Sequence, residues 1–447
     1  MKYSFPDNFL WGAASSACQI EAACATDGKV ENVFDHYSRV YPEKFANATP
    51  DDEVDFYHRF PEDIQLMKKL GLKMFRFSIS WARIYSSVDG PVNQKGIDYY
   101  NRMIDCLVEN GIVPFFDLFH CDLPMFVVDA GGPANPDFPA WFERYARTCF
   151  AAFGDRIQYW STMNEPSINI FGAFCGGTCA PYLTGMDTGM QACFHMMLGH
   201  YRAVRAYREM GLKGKIGSVN HFEPVYPETD SDLDRVAADR CKAYYSGIWL
   251  EPIVYGRYPK IVTDIPYVAE HLPENYAERL AEEFAPSDFL GINYYNPNFA
   301  RWKEDGKLCY ETFIPDHISK DAYGFACYPR GIYDAVHYLK EYYGDMEIVI
   351  TENGYGSART GDLAVDADDP YRAEYMQIHL RELCNAIKDG VNVSGYCCWT
   401  ILDTYEGGAG GYLYNFGLIQ VDYKTLERTP RKSFYAYQKI IEDNGLN

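Results

Sequence analysis

The feature that most constrains the fold is a regular alternation of short apolar runs with longer segments of helical periodicity. Eight runs rich in β-branched and aromatic residues lie at 9–14, 74–81, 113–119, 159–163, 215–220, 289–295, 348–351 and 395–402. Apolar residues recur at helical spacing in 55–70, 96–109, 138–153, 190–210, 233–249, 331–343, 371–388 and 432–442. Eight strand–helix units predict an α/β fold, a (β/α)8 barrel formed by residues 1–447 as one domain.

Other α/β folds are disfavoured by what lies between these runs. No Gly-x-Gly-x-x-Gly pattern follows the first run, which argues against a dinucleotide-binding sheet, and no linker divides the chain. Stretches rich in Gly, Pro and Asp predict long loops at 83–95, 121–137, 222–231, 296–328 and 355–370. The loops that follow a strand, such as 121–137 and 296–328, are expected to form the rim of a pocket.

Charge and composition narrow the possible partners. The formal net charge is −21, which disfavours nucleic acid and anionic membranes, because both are bound by basic surfaces. Aromatic residues make up 16% of the chain, which suits stacking on sugar rings as well as core packing. A small-molecule substrate is therefore expected, and the oligomeric state stays open.

Location and metal binding follow from local patterns. The first residues show no basic segment followed by an apolar core, and no run of about 18 apolar residues occurs, so we expect a cytoplasmic protein. The 14 cysteines are then expected to be reduced thiols. Cys175 and Cys179 alone have the spacing of a ligand pair, but no second pair lies near them, so no metal is predicted.

Two stretches end in a carboxylate at the mouth of a predicted strand. In Ile348-Val-Ile-Thr-Glu-Asn-Gly354 an apolar run leads into Glu352 and a turn dipeptide. Taken alone, Glu352 could merely cap that turn. Tyr159-Trp-Ser-Thr-Met-Asn-Glu-Pro166 has the same form and ends in Glu165. Two carboxylates at the mouths of two strands are the pair that hydrolysis of a glycosidic bond requires.

The two carboxylates need different protonation states. One stays ionised as the nucleophile, and the other is held protonated by burial and by the charge of its partner. Arg76 lies inside an apolar run, where a charged residue must be paired. A guanidinium beside Glu352 would keep that carboxylate ionised; the alternative is a purely structural ion pair. Asn164 could bond a sugar hydroxyl.

Several motifs resemble those of glycoside hydrolase family 1, the family of retaining β-glucosidases. They occur in the family's order from residue 5 to 442 and are Phe5-Pro-Asp-Asn-Phe-Leu-Trp-Gly12 with Gln19-Ile-Glu21, Phe77-Ser-Ile-Ser-Trp81, Thr162-Met-Asn-Glu-Pro166, Asn293-Tyr-Tyr295, Ile350-Thr-Glu-Asn-Gly354 and Phe416-Gly-Leu-Ile-Gln-Val-Asp422. The resemblance implies a (β/α)8 barrel with β-glucosidase activity that needs neither a metal nor an organic cofactor.

The resemblance also implies roles for single residues. Glu165 would be the acid/base and Glu352 the nucleophile, while Tyr295 and Arg76 would position and tune the nucleophile. Side chains implied to bind the sugar are Gln19, His120, Asn164, Asn293 and Glu406 through its hydroxyls and Trp399 under its ring. From the residues alone, a core role is the alternative for both His120 and Trp399.

Two subgroups of the family are disfavoured. Thioglucosidases replace the acid/base glutamate, which is retained here as Glu165, so ordinary O-glycosides are expected. The 6-phospho-glycosidases have Ser where Glu406 stands and Lys where Tyr414 stands. A phosphorylated sugar is therefore not expected.

The chain departs from the family pattern at two tryptophans. Cys121 replaces the Trp of His-Trp-Asp-Leu-Pro, and Glu406 is followed by Gly407-Gly-Ala-Gly-Gly411 rather than Trp. Either the pocket gains room for a glycone altered or substituted at its 3- or 4-position, a galactosyl or fucosyl unit or a disaccharide, or a neighbouring aromatic residue fills the gap.

The sequence thus predicts a retaining exo-β-glycosidase with carboxyl groups about 5–5.5 Å apart. A separation on the order of 6.5–9.5 Å would mean inversion instead. A transglycosylase and a non-catalytic sugar-binding protein are the alternatives. The second is disfavoured because both glutamates are present.

Overall fold

The protein forms a closed barrel of eight parallel strands, and the computed structural model describes residues 3–51, 54–407 and 410–446. The strands are Leu10–Ala14 (β1), Met74–Ser78 (β2), Val113–Asp117 (β3), Tyr159–Asn164 (β4), Lys215–His221 (β5), Phe289–Asn293 (β6), Glu347–Asn353 (β7) and Val393–Trp399 (β8). Each strand pairs with the next along the chain, and β8 pairs with β1. The predicted (β/α)8 barrel is confirmed.

Helices follow the strands and surround the barrel. The longer ones are Phe56–Leu70, Gln94–Glu109, Phe138–Phe153, Met186–Glu209, Asp232–Lys242, Ile248–Tyr255, Tyr276–Glu283, Arg330–Tyr343, Pro370–Lys388 and Lys432–Asp443. Their apolar faces pack on the outer face of the strands in one large cluster of buried residues. Among the described helices, none is both long and apolar enough to cross a membrane.

A second cluster fills the interior of the barrel. Every strand contributes one side chain to it, namely Ala14, Met74, Phe115, Tyr159, Val219, Phe289, Val349 and Cys397. Such a layer closes the barrel to solvent from below, as is usual for this fold. Chemistry is thereby confined to the end at which the strands finish. All fourteen cysteines are free.

The structure differs from the sequence prediction mainly outside the barrel. The stretches 222–231 and 296–328, predicted as loops, contain a three-stranded sheet of Val225–Pro227, Asn298–Trp302 and Tyr310–Phe313. The helix predicted at 233–249 is broken by a π-turn at Ala243–Gly247. These strands are short and half-exposed, so they lack the apolar runs that identified the barrel strands.

The ends of β4 and β7 are irregular where the candidate carboxylates lie. The register with the neighbouring strand shifts between Ser161 and Asn164 in β4, and between Ile350 and Glu352 in β7. Bulges of this kind re-aim side chains near active sites. After β7, a Cβ on Gly354 would lie 2.1 Å from the carbonyl oxygen of Trp399, so glycine is needed for this close approach.

Candidate active site

A cavity opens at the C-terminal ends of the strands. It is lined by Cys18, Gln19, Phe34, His120, Cys121, Glu165, Tyr295, Tyr323, Phe325, Glu352, Trp399, Tyr405, Glu406, Gly407 and Phe416. Seven of the ten side chains predicted for the site are in this wall. The other three, Arg76, Asn164 and Asn293, are fully buried and join the wall through hydrogen bonds.

Glu352 is held through both of its oxygens. Arg76 Nη1 donates to Oε1 at 2.6 Å, and the Tyr295 hydroxyl donates to Oε2 at 2.6 Å. Tyr295 is itself fixed by stacking on Phe325, with ring centroids 4.7 Å apart. The carboxylate is therefore fixed in one orientation within the cavity.

Burial and charge act in opposite directions on Glu352. Burial raises its pKa above the usual range, and the nearby charge of Glu165 adds to this, while Arg76 and the Tyr295 hydrogen bond oppose it. The sequence predicted the guanidinium and its stabilising effect. It did not predict that burial would outweigh it.

Arg76 contacts Glu352 on one side and Asp117 and Asn164 on the other. It comes from β2 and is completely buried. Its Nη2 lies 2.5 Å from Asp117 Oδ2 and donates to Asn164 Oδ1 at 2.7 Å. Asn164 Nδ2 lies 3.2 Å from His120 Nε2. A cation shared among two carboxylates and an amide is well compensated for its burial.

Glu165 follows β4 directly, in a left-handed backbone conformation with φ 44°. Asn293 Nδ2 donates to Glu165 Oε1 at 2.9 Å, and His221 Nδ1 lies 3.3 Å from the same oxygen. Burial favours the neutral acid, but His221 and Asn293 bring the pKa of Glu165 below its usual range. The prediction that burial and the partner's charge hold this group protonated is thus wrong, because the pKa of Glu165 is lowered.

The reason is His221, which sequence analysis missed. It is the last residue of β5, and Nε2 lies 2.9 Å from Glu223 Oε1. Burial disfavours a charged imidazole, yet Glu223 and Glu165 raise the pKa of His221 well above its usual range. A usable signal was present, because His221 is a polar residue at the end of an apolar run, as are Glu165 and Glu352.

Gln19 and Glu406 form a polar pair on another side of the cavity. Gln19 Nε2 donates to Glu406 Oε1 at 3.2 Å, and the Thr404 hydroxyl donates to the same oxygen at 2.6 Å. Burial raises the pKa of Glu406 to about 7, opposed by the Thr404 hydrogen bond. An amide beside a carboxyl group can accept and donate to adjacent sugar hydroxyls.

Two rings stand parallel in the wall. His120 follows β3, and Trp399 ends β8; their centroids are 5.9 Å apart with an interplanar angle of 12°. Both side chains are buried but line the cavity, so neither is only a core residue. Trp399 therefore supplies an indole surface to the cavity.

The two departures from the family pattern have different outcomes. A Cβ on Gly407 would lie 2.4 Å from the ring of Phe34, so Phe34 from the helix Val33–Val40 takes the space beside this residue. Cys121 also faces the cavity, and Asn169 Nδ2 donates to its sulfur at 2.7 Å. Residues 408 and 409 of the glycine-rich stretch lie outside the described residues.

Within the described ranges, no three His, Cys, Asp or Glu side chains gather as metal ligands. Cys175 and Cys179 are separate, half-buried thiols.

Comparison with known proteins covers the full chain. The family model described as "Glycosyl hydrolase family 1" matches residues 1–446. "Beta-glucosidase A" of Thermotoga maritima is 37% identical over 99% of this chain and 98% of its own length. "6-phospho-beta-glucosidase GmuD" of Bacillus subtilis is also 37% identical, over 100% of this chain and 99% of its own.

Solved structures agree with these relatives. A family 1 β-glucosidase from Thermotoga maritima superposes with a TM-score of 0.95 at 36% identity, covering 100% of this chain and 99% of the other. The Thermotoga maritima β-glucosidase in complex with glucoimidazole has a TM-score of 0.94 at 36% identity, with both chains fully covered.

Proposed function

This chain belongs to glycosyl hydrolase family 1 and is a glycoside hydrolase; we propose that it is a retaining exo-β-glycosidase, acting on β-glucosides or closely related β-glycosides. One observation carries the proposal. Arg76 and Tyr295 donate hydrogen bonds to Glu352 in the same cavity that Glu165 lines. Glu352 is therefore oriented for nucleophilic attack, and Glu165 is placed to donate and accept a proton.

The first step forms a glycosyl ester. An ionised Glu352 oxygen attacks the anomeric carbon while the bond to the departing oxygen breaks and Glu165 gives that oxygen a proton. Arg76 and Tyr295 stabilise the carboxylate in its charged form and aim it. The negative charge of Glu352 is neutralised as its oxygen bonds to the anomeric carbon.

The second step releases the sugar. Glu165, now ionised, takes a proton from water, and the water oxygen bonds to the anomeric carbon as the ester to Glu352 breaks. Two inversions give net retention. The mechanism requires the two carboxyl groups to be about 5–5.5 Å apart.

The sugar would be held by polar groups and by an indole surface under its ring. Gln19, His120 and Glu406 offer directional partners for hydroxyls, with Asn164 and Asn293 behind them, and Trp399 offers a ring face. A phosphorylated sugar, as in the name of the Bacillus relative, is disfavoured. None of the described residues lining the cavity is Lys or Arg, and Glu406 would repel a phosphate.

The replacement of a tryptophan by Cys121 bears on which sugar is preferred. Phe34 takes the space beside Gly407, which favours an unsubstituted glucoside on that side. Cys121 is smaller than an indole and lacks its N–H donor, which favours tolerance of a changed 3- or 4-position near the thiol. Cys121→Trp is expected to narrow the range of accepted sugars.

The test is a panel of nitrophenyl β-glycosides: glucoside, galactoside, fucoside, xyloside, glucuronide and cellobioside. We expect the glucoside to rank first or near first, and Glu352→Gln to abolish turnover of all of them. Glu427→Gln makes the same chemical change at an exposed carboxylate and is expected to leave the rates unchanged. Absence of turnover with every glycoside would overturn the proposal.

A further inference from the structure

A histidine lies between Glu165 and a second carboxylate that has no part in the mechanism above. His221 Nδ1 is 3.3 Å from Glu165 Oε1, and Nε2 is 2.9 Å from Glu223 Oε1. The imidazole side chain is only 15% exposed. Both ring nitrogens therefore face carboxylate oxygens, an arrangement that fits a doubly protonated, charged ring.

Glu223 is fixed by neighbours from the strand-bearing loop after β6. Asn296 Nδ2 donates to Oε1 at 2.5 Å, and Asn298 Nδ2 donates to Oε2. Neither amide carries a charge, so His221 is the charged partner of this carboxylate. Three donors therefore hold the Glu223 carboxylate in place.

Apart from His221 and Glu223 themselves, the groups that line the cavity beside His221 are neutral. A small cavity beside His221 is walled by Ser167, Cys241, Tyr245 and Thr312, among others. Burial raises the pKa of both the Cys241 thiol and the Tyr245 phenol, so both are uncharged near neutral pH. On the far side, Glu165 faces His120 and Glu352.

The hydrogen bonds to Glu165 leave one oxygen for the reaction. Within the described ranges, both side-chain donors to this carboxylate, Asn293 and His221, meet Oε1. Oε2 thus remains for the departing oxygen of the substrate. His221 contacts the acid/base and not the substrate position, so any effect it has acts through Glu165.

We propose that His221 is a positioning residue for Glu165 that holds the catalytic proton on the Glu165–His221 pair, and that Glu223 keeps it there. This inference rests on the acid/base role given to Glu165 above. The lowered pKa of Glu165 and the raised pKa of His221 agree with it, since together they put the shared proton on the imidazole.

The proton count closes over one turnover. The Nδ1 proton of His221 first passes to Glu165 and makes it the neutral acid. As the bond between the anomeric carbon and the departing oxygen breaks, the carboxyl group, turned to present that single proton, gives it to the oxygen and is left ionised. The imidazole is then neutral and still donates from Nε2 to Glu223. In the second step the water oxygen bonds to the anomeric carbon as the ester bond to Glu352 breaks, and the proton that water loses goes to Glu165, which returns it to His221 Nδ1.

The pH profile separates this arrangement from a purely structural histidine. The alkaline limb of kcat/KM reports loss of the proton needed by the acid in the free enzyme. In the wild type that proton leaves the pair at the raised pKa of His221. In His221→Gln only the carboxyl of Glu165 remains, so the limb moves to lower pH. Glu223→Gln removes the anion beside His221 and is expected to move the alkaline limb of kcat/KM to lower pH by about 1–3 pH units.

Leaving groups provide the second readout. Phenyl β-glucoside needs a proton on its departing oxygen, and its kcat/KM is expected to fall about tenfold or more in His221→Gln. A 2,4-dinitrophenyl glucoside departs without a proton and is expected to change little. His271→Gln alters a histidine paired with Asp187 on the surface and is expected to move neither quantity.

The outcomes are distinct. This inference is overturned if the alkaline limb of kcat/KM stays in place or moves to higher pH in Glu223→Gln. It is also overturned if His221→Gln loses the same activity with both leaving groups. In either case hydrolysis by the wild type still upholds the proposed function. A wild type inactive on all glycosides overturns both. Thermal melting checks folding, and Glu223→Gln, an isosteric change, carries the test if His221→Gln does not fold.

Discussion

The two carboxylates of the cavity have opposite kinds of neighbours. Glu352 is bound by a guanidinium that never loses its charge and by a phenol, and each donor takes a different oxygen. Glu165 is bound at one oxygen by an amide and by an imidazole, whose charge depends on pH. The Glu352 side chain is 5% exposed and that of Glu165 is 15% exposed.

This difference suits different tasks. A permanent cation and two fixed hydrogen bonds hold one group as an oriented anion, as a nucleophile requires. A titratable partner and a free oxygen allow the other group to gain and lose a proton within each turnover. The comparison therefore predicts that changes around Glu352 affect bond formation, whereas changes around Glu165 depend on the leaving group.

The largest effect is expected from removal of the nucleophile. Glu352→Ala should lower kcat by about 10⁴-fold or more, because no ester can form. Azide, entering the vacated space, should restore turnover and give the α-glycosyl azide. Rates and product anomer are measured with nitrophenyl β-glucoside. Formation of the β-azide would place the nucleophile elsewhere.

Removal of Arg76 tests how much its permanent charge stabilises the fold. Arg76→Gln leaves Glu352 and Asp117 buried without their charged partner, which should cost about 3–5 kcal/mol of unfolding free energy. Chemical denaturation measures it. Lys260→Gln breaks an exposed pair with Asp264 and should cost less than about 1 kcal/mol. Equal losses in the two variants would contradict a structural role for the buried pair.

Glu165→Ala should separate substrates by leaving group. For phenyl β-glucoside we expect kcat/KM to fall by about 10²–10⁴-fold, and for the dinitrophenyl glucoside by much less in the first step. Azide should here give the β-glycosyl azide, since Glu352 still forms the ester. An α-azide from this variant would reverse the two roles.

The smallest effect is expected from Tyr295→Phe. It removes a hydrogen bond of 2.6 Å to an ionised group, worth about 1.5–3 kcal/mol. The bond favours the charged form, so its loss raises the pKa of Glu352, and the acid limb of kcat/KM should move to higher pH. The pH dependence of kcat/KM, recorded from about pH 4 to about pH 8, measures this shift. An acid limb that does not move would mean that Tyr295 does not lower the pKa of Glu352.

The barrel and both carboxylates could be predicted because their signals are local. Each barrel strand is an apolar run, and Glu165 and Glu352 each follow such a run at a breaker. Arg76 was predicted from its place inside an apolar run and Tyr295 through family resemblance, and the contacts of both agree with the predicted placement beside Glu352. Their catalytic roles stay predictions.

The features that could not be predicted from the sequence depend on contacts between distant segments. Phe34 beside Gly407 joins residues 373 positions apart (407 − 34), and no local pattern marks it. Glu223 and Asn298 meet only because a short sheet forms within stretches predicted as loops. His221 had a local signal, but its effect on Glu165 requires the distance between two strand ends.

The most direct test of the account is the configuration of the first sugar released from nitrophenyl β-glucoside, followed by ¹H NMR before mutarotation. Double displacement by Glu352 with Glu165 as acid/base predicts that the β-anomer appears first and the α-anomer only later. Initial release of the α-anomer would mean a single displacement by water, and would contradict the roles assigned to both carboxylates.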